Sequence, residues 1–191
     1  MKRTTVLTAL LLIVAAAPAA HAGQTVSIAN FSFSPASLTA GLGDSITFDN
    51  TAVNGHTSTS DGGFWNTGTI TGGSSKDVEF SASGTFAYHC AIHPSMMAVI
   101  IVPITVGPAG PVAAGTELTI TFASDQVTGR TYEVQRRRGN KHWMTLASGT
   151  SALFVTYTPG KAGKVRFRAA AIMGGQMSGW SPKFLVKVIA A

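Results

Sequence analysis

Short runs of alternating apolar and polar residues, each cut off by glycine, proline, asparagine or serine, recur from about residue 24 to the end of this chain. Side chains on an extended strand point to opposite faces in turn, so a period of two marks a strand with one buried face. Val26 and Ile28 alternate in this way, and Phe31-Ser32-Phe33-Ser34-Pro35 closes the same strand. Ser45-Ile46-Thr47-Phe48-Asp49, Asp77-Val78-Glu79-Phe80 and Thr85-Phe86-Ala87-Tyr88 continue the pattern. Val99–Val102 is an apolar run suited to a strand covered on both sides. No 3.6-residue apolar period is sustained after residue 22. The expectation is an all-β protein whose closely spaced strands form Greek-key sandwiches.

The length of 191 residues is enough for two small sandwiches. Between Val106 and Gly115, two prolines and three glycines interrupt the alternation. Such a stretch reads as a short, semi-stiff connection. It places a first domain at residues 23–106, a linker at 107–114 and a second domain at 115–191. Charge changes abruptly across it. Residues 23–106 set Lys76 against Asp44, Asp49, Asp61, Asp77 and Glu79, a net of −4. Residues 107–191 set eleven Lys and Arg against Glu117, Asp125 and Glu133, a net of +8. The halves are chemically different and do not read as an internal repeat.

Residues 1–22 have the pattern of a secretory signal. Lys2 and Arg3 precede the apolar run Val6–Ala17, and Ala20-His21-Ala22 is a small-x-small cleavage site. The run is too short and wrongly flanked for a transmembrane helix. Cleavage near Ala22 starts the mature chain at Gly23 and removes His21 from the ligand candidates. The only cysteine, Cys90, is far from that site, which argues against a lipid anchor. The expected location is periplasmic or secreted, and nucleic acid is an improbable partner after export.

A lone thiol in an oxidising compartment has no internal disulfide partner, and a bound metal removes the hazard of intermolecular pairing. Cys90 lies in Tyr88-His89-Cys90-Ala91-Ile92-His93-Pro94-Ser95-Met96. This puts a thiolate, an imidazole and a thioether at C-x2-H-x2-M spacing, and His56 lies upstream in a Gly/Asn/Ser/Thr loop. Two His, one Cys and a weak axial Met make the ligand set of a blue-copper electron-transfer site. Alternation turns His89 to the face opposite Tyr88 and Cys90, toward solvent. A multicopper oxidase needs a histidine on each side of its cysteine, and Ala91 occupies one of those positions. The chain also lacks a Ser/His/Asp set and an HExxH motif, so no catalytic constellation is found and an electron carrier is expected rather than an enzyme.

Phe31-Ser32-Phe33-Ser34-Pro35, Gly43-Asp44-Ser45-Ile46-Thr47-Phe48-x-Asn50, His56-Thr57, Gly84-Thr85-Phe86-x-Tyr88-x-Cys90 and His93-Pro94-Ser95-Met96 together resemble the cupredoxins. The short ligand loop is most similar to the plastocyanin/amicyanin group. The resemblance covers nearly all of residues 24–102 and implies one copper ion, Cu(I)/Cu(II), held by His56, Cys90, His93 and Met96. It also implies an electron exit where the His93 ring edge reaches the surface through an apolar patch. Ala91, Ile92 and Pro94 are expected there, with Phe33 or Phe64 around them. Met97 stands where relatives usually carry a basic or polar residue, and Ala98 where a glycine is common.

The second domain alternates in the same style at Leu118–Phe122, Tyr132–Arg136, Phe154–Thr158, Val165–Ala169 and Phe184–Val188, with a hairpin turn at Gly139-Asn140. Tyr132-x-Val134, Trp143, Phe167-Arg168-Ala169 and Ser178-Gly179-Trp180-Ser181-Pro182 resemble a fibronectin type III module over about residues 115–189. Phe122 replaces that family's usual second-strand tryptophan, and Val165 stands at the expected corner tyrosine. Alternation turns Arg137, Arg166, Arg168, Lys183 and Lys187 outward, a basic face suited to an anionic partner or simply to solvent. Cell-envelope polymers, lipid headgroups and the acidic first domain are the candidates. The chain as a whole reads as an exported blue-copper electron carrier working with a redox partner protein. The alternatives are a non-redox copper-binding protein that sequesters or delivers the ion, or an adhesion module whose metal is structural.

Overall fold

The alternating runs become strands with one face in a core, in a computed structural model that describes residues 23–191. The expected signal segment lies outside the described residues. The first half contains β1 (Gln24–Ala29), β2 (Ser32–Ser34), β3 (Ser37–Thr39), β4 (Ser45–Asn50), β5 (Thr59–Ser60), β6 (Ser75–Glu79), β7 (Gly84–His89) and β8 (Met97–Val102). One sheet has the order β2-β1-β4-β6 and the other β3-β8-β7-β5. β1 runs parallel to β4, with Val26 opposite Phe48, and β3 runs parallel to β8. Val26, Ile28, Ile46, Phe48, Phe86, Tyr88 and Ile100 fill the space between the sheets. Tyr88 is central there, with the Phe33, Phe48 and Trp65 rings 4.8, 5.5 and 5.7 Å from its own.

Two expectations are corrected. Phe31–Pro35 does not extend β1. The chain reverses at Asn30-Phe31 and returns as β2, with Phe33 opposite Ile28. Phe31 makes that corner at φ +64°, in the left-handed region where a Cβ is unfavourable. Val99–Val102 is fully covered on one face only, because Ile100 and Val102 are buried while Val99 and Ile101 are half-exposed.

The second half contains β9 (Thr105–Gly107), β10 (Val112–Ala113), β11 (Leu118–Thr121), β12 (Arg130–Arg138), β13 (Met144–Thr150), β14 (Phe154–Tyr157), β15 (Gly163–Met173), β16 (Gln176–Met177) and β17 (Phe184–Ile189). Its sheets are β14-β11-β9 and β10-β17-β15-β12-β13, with β16 folded back on β15. The expected linker at 107–114 is therefore corrected as well. Val106 on β9 pairs with Ile120 and Val112 on β10 pairs with Val188, both buried. The prolines and glycines between them turn the chain from the edge of one sheet to the edge of the other. Edges are where a sheet tolerates residues without an N–H.

The two sandwiches meet through backbone hydrogen bonds. The Ser83 N–H donates to the Phe122 carbonyl (2.8 Å) and the Ser124 N–H to the Ser81 carbonyl (3.1 Å). Thr85 and Gly179 exchange both bonds, 2.9 and 2.8 Å, and the Thr85 hydroxyl donates to the Trp180 carbonyl (2.9 Å). This approach requires glycine. A Cβ on Gly179 would meet the Thr85 Cβ at 3.0 Å, and one on Gly84 would meet the Ser178 Oγ at 2.6 Å. Buried residues run without a break across the joint through Ala82, Ile104, Phe122 and Ala123.

Candidate metal centre

β7 delivers Tyr88 to the core and ends at His89, so the next residue, Cys90, sits where the strand leaves the sheet. The loop that follows is closed by its own backbone. The His93 N–H donates to Cys90 O (3.1 Å), the Met96 N–H to His93 O (2.9 Å) and the Cys90 N–H to Met96 O (3.1 Å). His56 lies between β4 and β5 and is fixed by a reciprocal backbone pair with Ile70, 3.1 and 2.7 Å. Asn50, buried at the end of β4, braces that loop. Its Nδ2 donates to the Asn54 and Ile70 carbonyls, 2.8 Å each, and its Oδ1 accepts from the Ala52 N–H.

These elements bring three donor atoms together. Cys90 Sγ lies 3.7 Å from His56 Nδ1 and 3.7 Å from His93 Nδ1, and the two nitrogens are 3.1 Å apart. A triangle with those sides has its centre about 2.0 Å from each corner. A first-row ion binds imidazole nitrogen and thiolate sulfur at roughly 2.0–2.3 Å, so the residues present fit one such ion. His56 and Cys90 are fully buried, while His93 is half-buried. Burial first, and the neighbouring His93 second, hold the His56 pKa below its ordinary value, which favours the neutral imidazole a metal needs. The Thr57 N–H points at Cys90 Sγ (3.3 Å), and the Thr57 hydroxyl accepts from the Ala91 N–H (2.7 Å), tying the two ligand loops together. Met96 is 1 % exposed and Met97, the first residue of β8, is 70 % exposed, so Met96 is the thioether turned inward.

Ala91, Ile92 and Pro94, the residues flanking His93 in the loop, are exposed. The aromatic partner differs from expectation. Phe33 is buried against Tyr88, and Phe64 packs edge-on against Phe86. Phe31 takes the position instead, 60 % exposed, with its ring perpendicular to that of His93 at 5.1 Å. Its signal in the sequence is its place after Asn30 at a corner, which the alternation count absorbed into a strand. His89 points outward, and its Nδ1 lies 2.6 Å from Asp61 Oδ1.

In the second sandwich the register sets Arg137 opposite Arg166 and Lys187 opposite Lys164. Lys183 and Lys187 are exposed. Arg168 is corrected from a free surface cation. Its guanidinium lies 4.1 Å from the Trp143 ring and 4.1 Å from the Trp180 ring, and it donates twice to Gln135 Oε1. Burial, then the charge of Arg137, hold its pKa below the usual arginine range. Arg137 covers Trp143 at 4.9 Å, so it too is engaged with an aromatic ring.

The family model for copper binding proteins of the plastocyanin/azurin family matches residues 20–103. Among solved structures, the chain is similar to the reduced Cu(I) form at pH 4 of an amicyanin mutant. That match has 24% identity, covers 44% of this chain and 86% of that one, and has a TM-score of 0.41. It is also similar to a purple cupredoxin from Nitrosopumilus maritimus, with 22% identity over 41% of this chain and 98% of that one, and a TM-score of 0.39. No curated protein matches.

Proposed function

From the match of residues 20–103 to the plastocyanin/azurin family of copper binding proteins, we propose that the chain is an exported one-electron carrier. Bound copper supplies the Cu(I)/Cu(II) couple. Cys90 would provide the thiolate, His56 and His93 their Nδ1 atoms, and Met96 a weak thioether donor. The Thr57 N–H withdraws charge from the thiolate, and Asn50 holds the His56 loop so that the donor set changes little between charge states. The observation that carries the reading is the burial of the set, with His93 alone half-buried, its ring edge-on to the exposed Phe31 in a loop where Ile92 and Pro94 are also exposed. That apolar opening suits brief contact with a redox partner protein. The lysine-led apolar segment at residues 1–22 supports export, and the second sandwich serves as a fibronectin type III-like docking module. Reversible redox titration of the purified protein, with copper assayed after each cycle, tests the proposal. A carrier keeps its metal through repeated cycles. Loss of copper on reduction would favour a protein that delivers or sequesters the ion.

A further inference from the structure

The second sandwich carries eleven Lys and Arg, and among the described residues none of them lies within 4.0 Å of a carboxylate. Glu133 is held by Ser148 Oγ and the Gly149 N–H. Arg136, Arg137 and Arg168 lie on aromatic rings. Four of the remaining eight cations gather at one end of the domain. Arg138, Lys141, Lys161 and Lys164 line an open basin of about 590 Å³ formed by the β12–β13 hairpin and the turn before β15. The two turns are joined by backbone and guanidinium contacts: Gly139 N–H to Lys164 O (3.0 Å), Arg138 Nη2 to Ala162 O (2.8 Å) and Arg166 Nη1 to Gly139 O (3.2 Å). The basin is thus held by its backbone, and its lysine side chains are exposed. Lys187, opposite Lys164, continues the charge along β17, where Leu185 and Ile189 are 49 % and 45 % exposed.

The basin and the copper loop lie at opposite ends of the molecule. Gly179 pairs antiparallel with Thr85 on β7, and β16, just before it, is antiparallel to β15. β15 and β7 therefore point the same way. The basin lies where β15 begins and Cys90 where β7 ends. At about 3.3 Å per residue the two are separated by roughly 40 Å along the strand direction.

We propose that the basin is a docking surface for anionic phospholipid headgroups, which holds the chain with its copper end turned away from the membrane. Lysines on flexible stems act as hydrated point charges, suited to a fluid array of headgroups rather than to one fixed ligand. Each Lys or Arg near such a surface strengthens partitioning roughly five-fold. The exposed Leu185 and Ile189 beside Lys187 favour a lipid interface over a soluble polyanion, which offers nothing apolar to meet them. The inference rests on the export reading above, because the chain must reach a membrane surface, but not on the presence of copper.

Co-sedimentation of the copper-loaded protein with vesicles of phosphatidylcholine, with and without a third of phosphatidylglycerol, tests it. Binding should need the anionic lipid and weaken as salt rises through physiological strength. Lys141→Gln, Lys161→Gln and Lys164→Gln together should weaken it about 100-fold while leaving the visible copper spectrum unchanged. Ser124→Glu, Gln126→Glu and Thr128→Glu lower the net charge by the same three units at the other end of the domain, and should weaken it far less. Equal losses in the two triple variants would overturn the docking surface in favour of a net-charge effect. Binding to soluble polyphosphate but not to vesicles would overturn the lipid partner. Because the copper spectrum is read in the same samples, failure of the metal reading is distinguishable from failure of this one.

Discussion

At the scale of single residues, Met96 and Met97 adjoin in sequence and differ wholly in environment, one buried beside the ligand loop and the other in solvent. Removing a weak donor to Cu(II) destabilises the oxidised state, so Met96→Leu should raise the reduction potential measured by voltammetry. Met97→Leu should leave it nearly unchanged, and the reverse ranking would reassign the ligand. Asn50 presents a different case, since it touches no donor atom yet supports His56 through the Asn54 and Ile70 carbonyls. Asn50→Ala leaves those groups unpaired in the interior. It should cost about 1–3 kcal/mol in denaturant unfolding and weaken copper retention. Spacing in the sequence exposed the donor atoms because their residue types are rare and chemically specific. Phe31 escaped notice because an aromatic residue in an alternating run reads as core, and only the corner at Asn30-Phe31 turns it onto His93.

At the scale of elements, period-two alternation located most strands, since one buried face leaves a direct mark on composition. In sequence the turn from β9 to β10 reads as a linker, because proline and glycine mark a tether and a sheet-to-sheet crossing alike. What separates the two is the partner strand, β11 or β17, which is distant in sequence. The joint at β7 is equally nonlocal. Gly84 and Gly179 stand 95 residues apart and together let Thr85 bond across the interface. Gly179→Val forces a side chain into the Thr85 backbone. It should destabilise the protein by about 1–3 kcal/mol in thermal or denaturant unfolding. An unchanged midpoint would show that the interface relaxes freely. The copper spectrum should survive, because Cys90 is about 17 Å farther along β7 at roughly 3.3 Å per residue.

At the scale of the whole molecule, an acidic copper-binding sandwich joins a basic one, with the His93 opening at one end and the lysine basin at the other. A ligand that binds only the folded state stabilises it, by about 2.7 kcal/mol when free ligand is 100-fold above its Kd. Chelating the copper should therefore lower the unfolding midpoint, and restoring it should reverse the shift. An identical midpoint with and without metal would mean that the site is not formed by folding. The electron-carrier reading depends on one copper ion held by the Cys90 thiolate between His56 and His93. The most direct measurement is the visible absorption spectrum of the purified protein with its copper content, compared with that of Cys90→Ser. One copper per chain and an intense thiolate-to-copper band that vanishes in Cys90→Ser is the expected result. Stoichiometric Cu(II) without that band, or a band that persists in Cys90→Ser, would contradict it.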